Sequence, residues 1–277
     1  MQRLETAAGP VSIMKLFPQK VCGSGRFSVA EAYDVLFVEE GNLRVNIDFC
    51  EMLVGAGQLL AIAPGQVWRI DADDGLTAEC LSFSDLMFGN GSVEDEFLHT
   101  AAMFDSFRRK GAVMARPVNA KELFSIIRQE CARADDISQG KVLRSYLLSL
   151  LYGMEREYSE VFSDDSYSEV RAFRGAVEQS FRINRNADYY ISQQKVNEKS
   201  LSRQLRKSLG MTPKAYIDAR IILEAKRLLA CGDCSVKIIS RTLGFTEQSN
   251  FNKYFRKFAG VTPATFRMEN SFKQTQI

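Results

Sequence analysis

The segment LSRQLRKSLGMTP, residues 201–213, recurs 50 positions later as FNKYFRKFAGVTP, residues 251–263. Five aligned positions are identical, and they are Arg206/Arg256, Lys207/Lys257, Gly210/Gly260, Thr212/Thr262 and Pro213/Pro263. The apolar positions also correspond, as Leu201/Phe251 and Leu205/Phe255. Because two copies are too few for a solenoid, the repeat predicts one motif duplicated inside a single domain.

Each copy has the pattern of an amphipathic helix with one basic face. At about 100° per residue, the apolar positions share one side of the helix and the polar positions the other. Short polar and cationic side chains on one exposed face suit a helix in the major groove of DNA. A single segment of this kind is more simply a solvated surface helix, but its duplication favours DNA binding.

We therefore predict two recognition helices. The residues expected to contact base edges are Lys199, Ser202 and Arg203 in the first helix, and Gln248, Ser249, Asn252 and Lys253 in the second. We expect Arg206 and Arg256 to hold DNA phosphates instead.

The residues around the copies predict where helices begin and end. Residues 236–243 (VKIISRTL) predict a short helix that stops at Gly244, with Thr246 as the N-cap of the next helix. The glycine after each copy is expected to end a helix, and the Thr-Pro pair to begin another. Residues 213–229 predict an amphipathic helix of about 17 residues, roughly 25 Å long. Such a rod could hold two recognition helices near one DNA turn apart, about 34 Å.

Residues 182–267 resemble the C-terminal DNA-binding domain of the AraC/XylS family of bacterial transcription regulators. The stretch EAKRLLACGDCSVKIISRTLGFTEQSNFNKYFRKFAGVTPATFR, residues 224–267, matches the most characteristic part of that family's pattern. The matching positions include Gly244-Phe245, Ser249, Phe251, Phe255-Arg256-Lys257, Gly260 and Thr262-Pro263. The resemblance implies a double-stranded DNA partner, RNA polymerase as a second partner, and activation of transcription.

Charge is distributed unevenly along the chain. The whole chain carries a formal net charge of +2, but residues 182–277 contain 18 Lys and Arg against 7 Asp and Glu. This asymmetry is expected when only one domain contacts phosphate. A basic segment, taken by itself, is also compatible with nonspecific binding to acidic partners.

Residues 33–88 have the composition of short antiparallel strands. In residues 43–49, the apolar residues Leu43, Val45, Ile47 and Phe49 alternate with polar ones, and Gly-containing breaks separate the runs. The pattern predicts a β-barrel or jelly roll, and it resembles the cupin-like sensor domain of many AraC/XylS regulators. The predicted fold class is α+β. It comprises an N-terminal antiparallel cupin-like β-barrel with flanking helices, then an all-α domain with two helix-turn-helix motifs joined by a long helix.

The barrel lacks the ligands of a metal-binding cupin. Trp68 stands where such domains usually carry histidine, and the only histidine of the chain is His99, in a predicted helix. We therefore predict no metal and no cofactor. The expected effector is a small organic molecule at a mouth formed by Phe37, Trp68, Arg69 and Phe83, although each of these residues also fits a core or rim position.

Residues 141–158 (KVLRSYLLSLLYGMEREY) predict a helix with a wide apolar stripe. One interpretation is a homodimer contact through Leu143, Leu147, Leu150 and Met154. The other is packing of the stripe against its own barrel and the segment around Phe124 and Ile127.

These patterns together predict three segments and a cellular location. We predict an effector-binding and dimerisation domain at 1–162, a linker at 163–175 and a DNA-binding domain at 176–277. The N-terminus lacks the apolar core of a signal peptide, and no apolar run reaches membrane-spanning length, so a cytoplasmic protein without membrane contact is expected.

Two other functional classes stay open at this point. One is a cupin-type small-molecule enzyme, although the single histidine and the lack of a P-loop or nucleophile motif favour a protein that is not an enzyme. The other is a thiol-based redox regulator that uses Cys231 and Cys234 or the cysteines of the barrel.

Overall fold

The structure is a computed structural model that describes residues 11–16, 27–72, 75–107, 113–114, 119–133, 138–161, 168–194 and 196–270. The chain divides into two compact units. Apart from residues 26–28, the first unit runs to residue 163 and the second begins at residue 164.

The described strands form two antiparallel sheets, which gives the α+β fold predicted from the sequence. Their bounds are Val11–Leu16 (β1), Ser28–Val29 (β2), Tyr33–Glu40 (β3), Asn42–Ile47 (β4), Cys50–Gly55 (β5), Gln58–Ile62 (β6), Val67–Ala72 (β7), Thr77–Phe83 (β8) and Val113–Met114 (β9). One sheet has the order β1-β8-β3-β6-β9 and the other the order β2-β7-β4-β5. The ladders among the described strands link neighbours within each sheet and not strands of different sheets, so a closed barrel is not shown.

The α-helices follow the sheets along most of the chain. Their bounds are Val93–Thr100 (α1), Ala120–Cys131 (α2), Gln139–Val161 (α3), Ser168–Ser180 (α4), Ala187–Gln194 (α5), Glu198–Leu209 (α6), Pro213–Cys231 (α7), Val236–Thr242 (α8), Gln248–Ala259 (α9) and Pro263–Asn270 (α10). Among the described helices, none combines the length and the apolarity needed to cross a membrane.

The five-stranded sheet buries both faces because its strands are apolar at consecutive positions. In β3, Val35 and Phe37 face a helical layer, while Leu36 and Val38 face the other sheet. The four-stranded sheet completes this second core with the alternating residues Leu43, Val45 and Ile47, each 0% exposed.

The apolar and polar residues that are predicted to alternate as far as Phe49 form a strand only as far as Ile47. Strand β4 ends at Ile47, and Asp48 and Phe49 form the hairpin turn to β5 with φ of 52° and 68°. Two positive φ angles suit the twist of a two-residue hairpin. Phe49 therefore lies in a turn and not on the buried face of a strand.

The apolar stripe of α3 packs inside its own unit. Leu143, Leu147, Leu150 and Met154 are each at most 1% exposed, in one cluster with side chains of α2 and the five-stranded sheet. The prediction of a dimer contact through these four side chains is wrong, because they are already buried within a single chain.

The predicted linker 163–175 is too long. Helix α4 begins at Ser168, and its residues Val170, Phe173 and Val177 are buried. The ring of Phe173 lies 6.1 Å from that of Tyr190 and 5.9 Å from that of Tyr216, so α4 belongs to the core of the second unit. Residues 163–167 lie outside the described residues.

Candidate nucleic-acid interface

Helices α6 and α9 are the two copies of the sequence repeat, and each has 12 residues. Leu201 and Leu205 of α6 are 0% exposed, as are Phe251 and Phe255 of α9. The same two positions therefore anchor each helix in the core, which leaves the opposite face to solvent. The helical repeat predicted from the sequence is confirmed.

The first set of predicted DNA contacts lies on the outer face of α6. Lys199, Arg203 and Arg206 are exposed, and Ser202 is half-buried. Together with Glu198, these four residues line one open depression of about 420 Å³. The structure thus brings the first set together on one basic surface, to which Glu198, a residue outside the predicted set, adds an acidic group.

The second set lies on α9 and is only partly accessible. Gln248, Ser249, Lys253 and Arg256 are exposed, whereas Asn252 is half-buried. The Oδ1 atom of Asn252 is buried and has no hydrogen-bond partner among the residues that the structure describes. Four of the five predicted side chains are therefore free to approach a ligand, and Asn252 is less accessible.

The ends of both recognition helices follow from local sequence. Gly210 and Gly260 end α6 and α9 in the left-handed conformation, with φ of 69° and 79°, as predicted. At the start of α6, the Oδ1 atom of Asn197 accepts hydrogen bonds from the backbone N–H groups of Lys199 and Ser200 at 3.0 and 3.1 Å. The glycines thus define where both helices end, and the Asn197 cap defines where α6 begins.

The start of α9 differs from the prediction. Glu247 and not Thr246 is the N-cap residue, and its side chain makes no capping hydrogen bond. Its carboxylate instead accepts a hydrogen bond from Ser249 Oγ at 3.1 Å. The prediction of Thr246 as the N-cap is wrong because the helix begins one residue later.

A buried carboxylate holds α9 on the long helix α7. Asp218, which is 7% exposed, forms an ion pair with Lys214 and accepts a hydrogen bond from the Tyr254 hydroxyl at 2.7 Å. Burial and the nearby Asp218 carboxylate raise the pKa of Tyr254, so its hydroxyl stays a donor. This contact fixes the face that α9 turns to solvent.

A second carboxylate fixes α6. Glu169 of α4 accepts hydrogen bonds from Ser200 Oγ and Gln204 Nε2, both at 2.9 Å. Ser200 and Gln204 lie one turn apart on the flank of α6 that contacts α4. Each recognition helix is therefore oriented by a carboxylate outside it.

Not every cation of the second unit is available to a phosphate. Arg220 is 8% exposed, and its Nε lies 2.8 Å from both carboxylate oxygens of Glu178, while its Nη1 lies 3.1 Å from Glu224. Burial opposes ionisation of Glu224, but Arg220 and Arg182 hold its pKa below the usual value. These groups form a structural ion network within the fold.

The four predicted effector contacts do not share one site. Phe37 and Phe83 are 4% and 0% exposed and belong to the core between the five-stranded sheet and the helices. Trp68 packs against the other core, between the sheets. Arg69 follows Trp68 in β7 and so points to the opposite face of that strand. A single mouth formed by all four side chains is therefore not present.

The histidine and the two buried cysteines of the first unit lie apart from one another in the described residues. No group of three or more His, Cys, Asp or Glu side chains in this part of the chain could hold a metal ion. His99 lies in helix α1, as predicted, with its Nε2 atom 3.4 Å from Asp95. Burial raises the pKa of the Cys80 thiol, and burial and Glu130 raise that of Cys131 to about 11, so both stay protonated near neutral pH.

The chain has sequence relatives among transcription regulators. Residues 192–269 match the protein family described as a helix-turn-helix domain. The transcriptional activator RhaS of Pectobacterium carotovorum is 27% identical over 139 residues, which are 50% of each chain. The uncharacterised HTH-type transcriptional regulator YisR of Bacillus subtilis is 21% identical over 254 residues, or 86% of each chain. The match therefore spans about half the length of RhaS.

A solved structure resembles most of the chain. ToxT from Vibrio cholerae superposes with a TM-score of 0.51 at 11% sequence identity, covering 95% of this chain and 98% of that one. At this low identity the likeness concerns the fold alone.

Proposed function

Because the chain belongs to the AraC/XylS family of transcription regulators, we propose that it binds double-stranded DNA in a sequence-specific manner and activates transcription with RNA polymerase as partner. The observation that carries this proposal is the pair of matching helices α6 and α9, each anchored by two buried apolar residues and each basic on its exposed face. Such a role places the protein in the cytoplasm, where bacterial DNA lies.

The two helices are proposed to enter successive major grooves. Helix α7, which has 19 residues, runs between the two motifs and is about 28 Å long at 1.5 Å per residue. Sites one turn of B-DNA apart lie about 34 Å from each other. The exposed polar side chains would reach base edges, and the arginines one turn further along each helix would reach phosphates.

Two arginine variants separate these roles. Arg203→Ala is expected to cost about 1–3 kcal/mol of binding on the cognate site and to relax specificity at one half of it, because a base contact is lost. Arg256→Ala is expected to weaken binding to all sequences alike, because a phosphate contact is lost. The slope of the logarithm of the binding constant against the logarithm of the salt concentration should become shallower by about one unit. Electrophoretic shift titrations at several salt concentrations measure both effects.

Arg171→Ala is the matched control, since Arg171 is an exposed arginine on α4 outside both recognition helices. We expect it to leave sequence preference unchanged. An equal loss on all sequences for Arg203→Ala would remove this residue from the base-reading set. An unchanged salt slope for Arg256→Ala would contradict its phosphate role.

The first unit is proposed to be a cupin-like regulatory domain that binds a small organic effector and thereby changes DNA affinity. Its two packed sheets and the resemblance of residues 33–88 to cupin-like sensor domains support this proposal. Native mass spectrometry of the full chain purified from cells is expected to show a bound organic molecule. The effector role would be contradicted by two results together. The purified protein would carry no organic molecule, and no compound of a metabolite library would raise its melting temperature.

A further inference from the structure

The loop between α4 and α5 contacts the turn of the second helix-turn-helix motif. Arg185 in this loop donates a hydrogen bond from Nη2 to the carbonyl oxygen of Gly244 at 2.7 Å. Its guanidinium carbon lies 3.9 Å from the centre of the Phe245 ring. One planar guanidinium thus both stacks on a ring and donates to a carbonyl, a combination to which arginine is better suited than lysine. Arg185 therefore touches two adjacent residues of the turn between α8 and α9.

The backbones of this loop and this turn also come into direct contact. Gly244 has a φ of +73°, and a Cβ atom at this position would lie 2.3 Å from the carbonyl oxygen of Arg182. Such a distance is far below a van der Waals contact, so the two backbones approach this closely only because residue 244 is glycine.

The same loop is fixed to the long helix on its other side. Arg182 forms an ion pair with Glu224 of α7, and the guanidinium carbon of Arg220 lies 4.1 Å from the ring of Phe181. The loop next to the first motif is therefore held both by α7 and by the turn of the second motif.

These contacts give the two motifs a second connection besides helix α7. Along the chain, the orientation of α9 relative to α6 depends on α7 and on the short segments at its two ends. A direct contact between the loop 181–186 and the turn at Gly244 restricts rotation of one motif against the other. Fixing two binding elements in advance lowers the entropy lost when both bind together.

We propose that Arg185 is a positioning residue, which sets the spacing between the two DNA half-sites that the protein accepts. This inference rests on the proposed function, because it requires that both helices read DNA. Arg185 itself need not touch DNA, since its guanidinium is engaged by Gly244 and Phe245.

The test compares DNA duplexes that differ only in spacing. The cognate site is first selected from random duplexes with the full chain, and one base pair is then inserted or removed between its half-sites. One base pair rotates one half-site by about 35° relative to the other. We expect the unaltered protein to bind the native spacing at least about tenfold more tightly than either altered spacing. The Arg185→Ala variant should lose about tenfold in affinity for the duplex with the native spacing and little affinity for the other two duplexes.

Arg185→Lys is the second variant, because it keeps the positive charge but loses the planar group. We expect it to flatten the spacing preference as well, with an unchanged salt slope and an unchanged circular dichroism spectrum. A uniform loss on all three duplexes with a salt slope shallower by about one unit would show a phosphate contact and overturn the inference. An unaltered spacing preference in both variants would overturn it too. Failure of the unaltered protein to select any sequence would instead overturn the proposed function.

Discussion

Replacing Phe251 with alanine is expected to lower the free energy of unfolding of the second unit by about 3–5 kcal/mol. Phe251 is 0% exposed, and its ring lies 5.3 Å from that of Phe245 and 5.8 Å from that of Phe255. Truncation removes the buried ring and leaves a cavity beneath α9. Because these rings hold the recognition helix in place, DNA affinity should fall as well. Native-state hydrogen exchange of the α9 amides measures the stability loss.

Phe258→Ala is the matched control, since it removes the same side chain from the same helix. Phe258 is 41% exposed, and its ring contacts that of Tyr254 at 4.9 Å. We expect Phe258→Ala to lower the free energy of unfolding by about 1 kcal/mol or less. Similar losses for the two variants would mean that Phe251 is not the buried anchor of α9.

Gly244→Ala is expected to destabilise the second unit by about 3 kcal/mol or more. Two causes add, because the left-handed backbone disfavours any side chain and the new Cβ atom would meet the carbonyl oxygen of Arg182 at 2.3 Å. Relief of this clash requires the loop and the turn to separate. Urea denaturation of the full chain, with hydrogen exchange to locate the change, measures the effect.

The control is Gly260→Ala, which isolates the backbone cost. Gly260 also has a positive φ, +79°, but a Cβ atom there would meet nothing within 4 Å. Its substitution is therefore expected to cost only about 1 kcal/mol. Equal costs at the two glycines would show that the loop does not approach the turn as closely as the structure indicates.

Features encoded within a few residues could be predicted from the sequence. The glycine ends of α6 and α9, the Thr-Pro start of α7 and the apolar periodicity of each repeat depend only on neighbours along the chain. The sequence pattern predicts helix α7 to residue 229, and the helix extends to Cys231. The exact N-cap of α9 was missed because Thr246 and Glu247 stand next to each other, and packing decides between them.

Features that depend on distant residues could not be predicted. Arg185 and Gly244 are 59 positions apart, and no local pattern marks their contact. Strand alternation shows that Phe37 and Leu36 face opposite sides, but it does not tell which side carries a helical layer. The stripe of α3 has the same sequence signature whether it covers a sheet or a second chain, and only the packed structure shows that it covers its own sheet.

The central claim is that α6 and α9 read DNA together. Selection of duplexes from a random pool with the full chain, followed by methylation protection of the enriched site, tests it most directly. We predict two protected major-groove segments on one face of the duplex, about 10–10.5 base pairs apart from centre to centre. Enrichment of no sequence, or protection of a single segment that Arg203→Ala leaves unchanged, would contradict the claim.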